Sequence, residues 1–184
     1  MYNMQNNDIK EDLEKIYSDV SEWLKFAEAK HAGALALWTA LIVAAFSVDN
    51  FYLLSDPLQI CIFAALFFGM LINVFAMMPF TNRIYWIRKL CYNKYKGYSG
   101  NLVFYQSVFV SVGSPEKSLD DKVSKYKEML KEEYGCLPQG KLITDYIKQI
   151  IEVATVASIK TFLFSVSIWY LGVFIIVSFL YIAL

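Results

Sequence analysis

PLQICIFAALFFGMLINVFAMMPFTN, residues 57–82, runs for 26 residues without an acidic or basic side chain. A helix rises about 1.5 Å per residue and needs about 20 apolar residues to cross a bilayer's hydrocarbon, so this stretch suffices alone. Two further uncharged runs lie on either side of it: HAGALALWTALIVAAFSV at 31–48 and TFLFSVSIWYLGVFIIVSFLYIAL at 161–184. The first, at 18 residues, is completed by Phe51 to Leu54, with Asp49 near the far interface, where a carboxylate is far cheaper than at mid-bilayer. A buried soluble hairpin is the alternative, but three such runs in 184 residues need a larger core than the chain can build. The expectation is an all-α membrane protein with spans at 32–54, 58–80 and 161–184 and long cytoplasmic helical extensions.

Composition agrees, since 57% hydrophobic against 18% charged residues exceeds what a water-soluble unit of this size buries. Lys+Arg and Asp+Glu both total 17, so net charge gives no argument for nucleic acid as a partner. Distribution says more. All the Lys and Arg fall between Lys10 and Lys30 or between Arg83 and Lys160, and none lies in the loop DNFYLLSDP, residues 49–57. Cationic loops stay on the cytoplasmic side, which predicts the N-terminus and residues 83–160 inside and the C-terminus outside. The opening MYNMQNNDIKEDLEK lacks the basic start and apolar core of a secretory signal peptide, so no cleavage is expected.

Outside the spans, Ile9, Leu13, Ile16, Val20, Trp23 and Ala27 repeat at helical spacing. Asp8 with Glu11 reads as a capping box that starts this amphipathic helix, expected over 8–31. It continues into the first span without Pro or Gly as far as Ala32. Leu119, Val123, Tyr126 and Leu130 form a second stripe after a Ser118–Asp121 box, ended by Gly135 and Pro138. A third helix starts near Lys141, carries Ile143, Ile147, Ile150 and Ala154, and runs into the last span. The segment KYKGYSGNLVFYQSVFVSV, residues 94–112, mixes turn residues with a β-branched and aromatic run, and reads as a short strand or a docked loop.

Small residues recur within the spans: Ala32, Ala36, Ala40 and Ala44 in the first, Ala65, Gly69 and Asn73 in the second, Ser158, Thr161, Ser165 and Gly172 in the third. They let helix backbones approach closely, which points to Ala36, Ala40, Gly69, Asn73, Ser165 and Gly172 as packing or gating positions, in a bundle or an oligomer seam. Asn73, the one amide deep in a span, lines a gate or, the reading preferred, makes an interhelical hydrogen bond. His31, at the inner interface, is read as an interfacial residue in preference to a pH or ligand sensor.

No phosphate-binding glycine loop, dinucleotide fingerprint, nucleophile elbow or HExxH occurs, and a single His removes most acid–base arrangements. Three scattered cysteines with no CxxC pair offer neither a metal site nor a disulfide framework. Neither an enzyme nor a cofactor is expected. The cluster TNRIYWIRKLCYNKYK, residues 81–96, combines cations with flat rings. It reads as a membrane anchor for the second span, or as a nucleotide site with cations on the phosphate and an aromatic ring on the base.

Taken in order, three passages resemble the transmembrane effector family of Pycsar, a bacterial antiphage defence system. WLKFAEAKHAGALALWTALIVAAF, residues 23–46, is similar to the family's amphipathic helix and A-D-x-K-A junction, with Glu28 in place of the Asp, Lys30 at the basic position and His31 intervening before Ala32. GNLVFYQSV, residues 100–108, is similar to its Asn-x-x-Phe segment through Asn101 and Phe104, and residues 143–173 resemble its closing helix. The resemblance implies an inner-membrane effector functionally linked to a pyrimidine nucleotide cyclase. Cyclic CMP or cyclic UMP made during infection would activate it to impair the membrane, ending the cell by abortive infection. The ligand-binding residues expected are Arg83, Arg88 and Lys89 for phosphate, Tyr92 or Tyr105 for the base, and Lys30 and Asn101 from the family motifs. A homo-oligomer in the lipid bilayer is also expected. The alternative is an assembly subunit that binds no ligand and docks a partner protein through its helical stripes.

Overall fold

The computed structural model describes residues 2–47, 56–78, 83–97, 105–135 and 139–183. These form α1 (Tyr2–Ser47), α2 (Asp56–Met77), α3 (Tyr85–Tyr95), α4 (Tyr105–Ser111), α5 (Leu119–Tyr134) and α6 (Lys141–Ala183), with no strand among the described residues. α1, α2 and α6 are each long and apolar enough to cross a membrane, over Ile9–Ser47, Pro57–Met77 and Lys141–Ser178. The all-α class and the three candidate spans are therefore as the sequence predicts. The loop 49–55 with Asp49, together with Asn101, Phe104, Cys136 and Pro138, lies outside the described residues.

Two compact units divide the chain: Met1–Phe26 with Phe80–Ile159, and Ala27–Pro79 with Lys160–Leu184. α1 and α6 each contribute to both. In the first unit the predicted stripes converge. Ile9, Leu13, Ile16 and Val20 of α1 share one core with Val123, Tyr126 and Leu130 of α5 and Ile143, Ile147, Ile150 and Ala154 of α6. Trp23 leaves the stripe, half-exposed, with its ring against Tyr105 at 5.4 Å between centroids. On the rim, the Tyr134 and Tyr146 hydroxyls donate to Asp12 and Glu14 at 2.8 and 3.0 Å, tying α5 and α6 to α1.

Two local expectations need correction. α1 begins at Tyr2, upstream of the Asp8–Glu11 box, because YNMQNN contains no residue that stops a helix from extending. From Tyr105 the presumed strand or loop is instead the helix α4, all seven residues of which are buried. A segment enclosed on every side loses the hydrophobic alternation that separates strand from helix, which is why its sequence misleads.

The second unit has polar groups inside and apolar ones outside. His31, Asn73 and Ser167 are fully buried, while Ile60, Trp169 and Ile176 are 66%, 76% and 61% exposed. Such an arrangement suits a lipid solvent, where exposed apolar surface costs nothing and polar groups must be satisfied internally. α2 meets α1 at Gly69, where an added Cβ would lie 2.5 Å from the Trp38 ring.

Candidate functional site

Within the first unit, a cavity of about 370 Å³ is lined by Arg83, Arg88, Lys117, Leu119, Lys122, Ile151, Glu152 and Thr155. It is built from three stretches of chain. Arg83 precedes α3 and Arg88 lies in it; Lys117 and Lys122 flank the start of α5; Glu152 and Thr155 belong to α6. The start of α5 is held by a complete capping box, in which the Asp121 amide donates to Ser118 Oγ at 3.1 Å and the Ser118 amide donates back to Asp121 Oδ2. The Tyr85 hydroxyl donates to Glu116 at 2.7 Å and so fixes α3 beside this linker. Gly113, at φ 111°, leaves room for the Lys117 stem, which a Cβ there would meet at 2.8 Å.

Four cations and one carboxylate therefore share a small volume. Lys122 is only 4% exposed and has no ion pair among the described residues. Burial, and secondarily the Arg88 charge, push its pKa down to about 8. Arg88 is also pulled down by burial, and its Nε is buried without an acceptor. Thr155 turns its hydroxyl onto the Ile151 carbonyl at 2.7 Å. A buried, unpaired lysine beside a half-buried arginine with a spare donor, flanked by two exposed cations, has the makings of an oxyanion site. No group of His, Cys, Asp and Glu able to hold a metal occurs among the described residues.

Of the predicted phosphate residues, the structure brings Arg83 and Arg88 together in this cavity and leaves Lys89 outside it, exposed, its ammonium 5.6 Å from the Tyr85 ring centre. Tyr92 packs edge-on against Phe109, and Tyr105 is buried beside Trp23; neither lines the cavity. Lys30 belongs to the second unit, over the Phe164 ring at 5.6 Å. Sequence reasoning missed Lys117, Lys122 and Glu152. A partial signal was present for Lys122, which lies three residues after Leu119 and four before Tyr126, beside the apolar stripe of α5.

The second unit carries a polar network that joins its three helices. The ring nitrogens of His31 on α1 face two oxygens, Asn73 Oδ1 on α2 at 3.0 Å and the Lys160 carbonyl on α6 at 2.8 Å. Asn73 Nδ2 donates to the Gly69 carbonyl at 3.0 Å and to Ser167 Oγ at 2.7 Å, and Trp38 Nε1 donates to the same Ser167 oxygen. Lys160, nearly enclosed, donates to Glu28 at 2.7 Å, so the acidic residue of the junction motif pairs α1 with α6. Asn73 thus makes interhelical bonds, and His31 is the hub of the network.

The small-residue stripes are only partly used within the chain. Gly69 admits Trp38, but Ala36 and Ala40 are exposed in a groove with Thr39 and Met77. Ser165 bonds back to Thr161 of its own helix, and Gly172 has open space around it.

Compared with curated proteins and with solved structures, the chain matches none. A family model described as the Pycsar effector protein domain matches residues 12–184, a range that takes in the cationic cavity and all but the first few residues of the first unit and of the first candidate span. The chain belongs to the Pycsar effector family.

Proposed function

We propose that this chain is an antiphage effector of the inner membrane, quiet until cyclic CMP or cyclic UMP from a partner cyclase binds its first unit. It then impairs the membrane and ends the infected cell. The family match over residues 12–184 is the observation that carries this reading. The cationic cavity supports it, because a cyclic mononucleotide presents one phosphate that Arg83 and Arg88 are suited to hold, and 370 Å³ falls at the small end of ligand pockets. In this reading the first unit is cytoplasmic, the C-terminus lies outside, and the cell membrane is crossed by α1, α2 and α6.

Activation requires the ligand to favour one helix arrangement over another. Shifting a population from 1% to 99% takes about 5.5 kcal/mol of differential binding. One small monoanion per chain falls short of that with ease, so several chains acting together fit better, with the exposed Ala36 and Ala40 face as their seam. Proteoliposomes holding a potential and a voltage-sensitive dye test the whole reading. Cyclic CMP or cyclic UMP is expected to collapse the potential, with cyclic AMP inert. A potential that survives both pyrimidine nucleotides, or leaks before either is added, refutes it.

A further inference from the structure

We infer that the cavity between α3, α5 and α6 takes a phosphate ester that also carries a free hydroxyl, with Lys122 and Arg88 on the phosphate and Glu152 accepting from the hydroxyl. The inference rests on reading the first unit as the ligand-binding one, but not on which molecule is the signal.

Charge poses the problem the cavity must solve. Arg83, Arg88, Lys117 and Lys122 line one small space, and the lysine least able to reach water has no carboxylate to pair with. Arg88 lies close enough for its charge to disfavour that of Lys122, and its own Nε has no acceptor. Two like charges half out of water are tolerated where a bound anion supplies what the protein withholds. An oxyanion with several lone pairs satisfies both at once.

Glu152 then needs a reason. A site for bare phosphate gains nothing from a carboxylate in its wall, which repels the ligand. Glu152 makes no ion pair with the four cations, so neutralising them is not its role. An ionised carboxylate only accepts hydrogen bonds, so its natural counterpart is a donor carried by the ligand beside the phosphate. A sugar hydroxyl fits, as an acidic side chain accepts from the ribose 2′-hydroxyl in dinucleotide-binding folds. The same chemistry, a phosphodiester with a hydroxyl nearby, is offered by a cyclic ribonucleotide and by a glycerol lipid headgroup.

The test uses the full chain in nanodiscs of neutral phosphatidylcholine, titrated calorimetrically with cyclic CMP, its 2′-deoxy counterpart and inorganic phosphate, and repeated in nanodiscs containing phosphatidylglycerol. Cyclic CMP is expected to bind about tenfold or more tightly than the deoxy form and than phosphate. Lys122→Met is expected to weaken binding at least about tenfold, and Lys122→Arg to restore part of it, which separates lost charge from lost fold. Glu152→Gln, at an exposed position, is expected to shrink the preference for the ribose hydroxyl and, with the repelling charge gone, to bind the deoxy ligand at least as tightly as the wild type does. If phosphatidylglycerol occupies the site and cyclic CMP does not, the cavity chemistry stands and the proposed signal falls. Lys122→Met binding like the wild type, Glu152→Gln keeping the preference, or no probe binding at all overturns the inference, whatever the potential assay shows.

Discussion

Lys122 concentrates the electrostatics of the first unit in one side chain, and the sign of its response to pH follows. Its folded pKa is lowered from 10.5 to about 8, chiefly by burial. In the empty cavity it loses its charge as pH rises through about 8, whereas an anion in contact holds the proton on. Anion affinity is therefore expected to be level below pH 8 and to fall by up to about tenfold per pH unit above it. Lys122→Met removes that slope, as calorimetric titrations on either side of pH 8 would register. The folding linkage has the same origin. A lysine whose folded pKa lies below its unfolded one destabilises the fold while charged, and this cost disappears between about 8 and 10.5. Lys122→Met should unfold at a higher temperature than the wild type at pH 7, with the gap closing as pH rises through that window. Reading the sequence for phosphate residues favoured the dense cluster after span two and found Arg83 and Arg88. It passed over Lys122 because a charged residue on a helix is ordinarily solvated, and its partner-free burial is visible only once α3 and α6 close over it.

Helix packing in the second unit turns on one close approach. An alanine at Gly69 would force its Cβ into the Trp38 ring, and Trp38 is itself held by its bond to Ser167. Gly69→Ala is expected to cost about 1–3 kcal/mol, read as earlier thermal unfolding in detergent, while Gly172→Ala, facing open space inside α6, should leave the transition in place or raise it slightly. The sequence named both glycines without distinguishing them, because a small residue announces that an approach is possible but not who makes it. Elsewhere periodicity was enough. The apolar stripes of α1, α5 and α6 meet in one core, and the Ser118–Asp121 box starts α5 where expected. On the span half of α1, the four-residue alanine repeat pointed to a face packed in a bundle or an oligomer seam, and within one chain the buried positions are instead His31, Ala34 and Trp38. Bulk and hydrogen-bonding capacity decide which face turns inward, and alanine offers little of either.

Across the whole molecule, all but Lys30 and Lys160 of the 17 Lys and Arg fall within the bounds of the first unit. That partition leads to a topology prediction: a reporter enzyme fused to the C-terminus should be active when it needs the outer compartment and silent when it needs the cytosol. The three spans and the family were legible because both depend on long, ordered stretches of chain. The cavity was not, because its wall draws on residues from Arg83 to Thr155 that only the tertiary fold assembles. His31 offers one consequence beyond these. It is the only histidine in the chain, and it bridges α1, α2 and α6. Imidazole carbon and nitrogen resonances from histidine-labelled protein would thus come from a single spot, a built-in spectroscopic reporter of whether those three helices stay together when the effector is switched on.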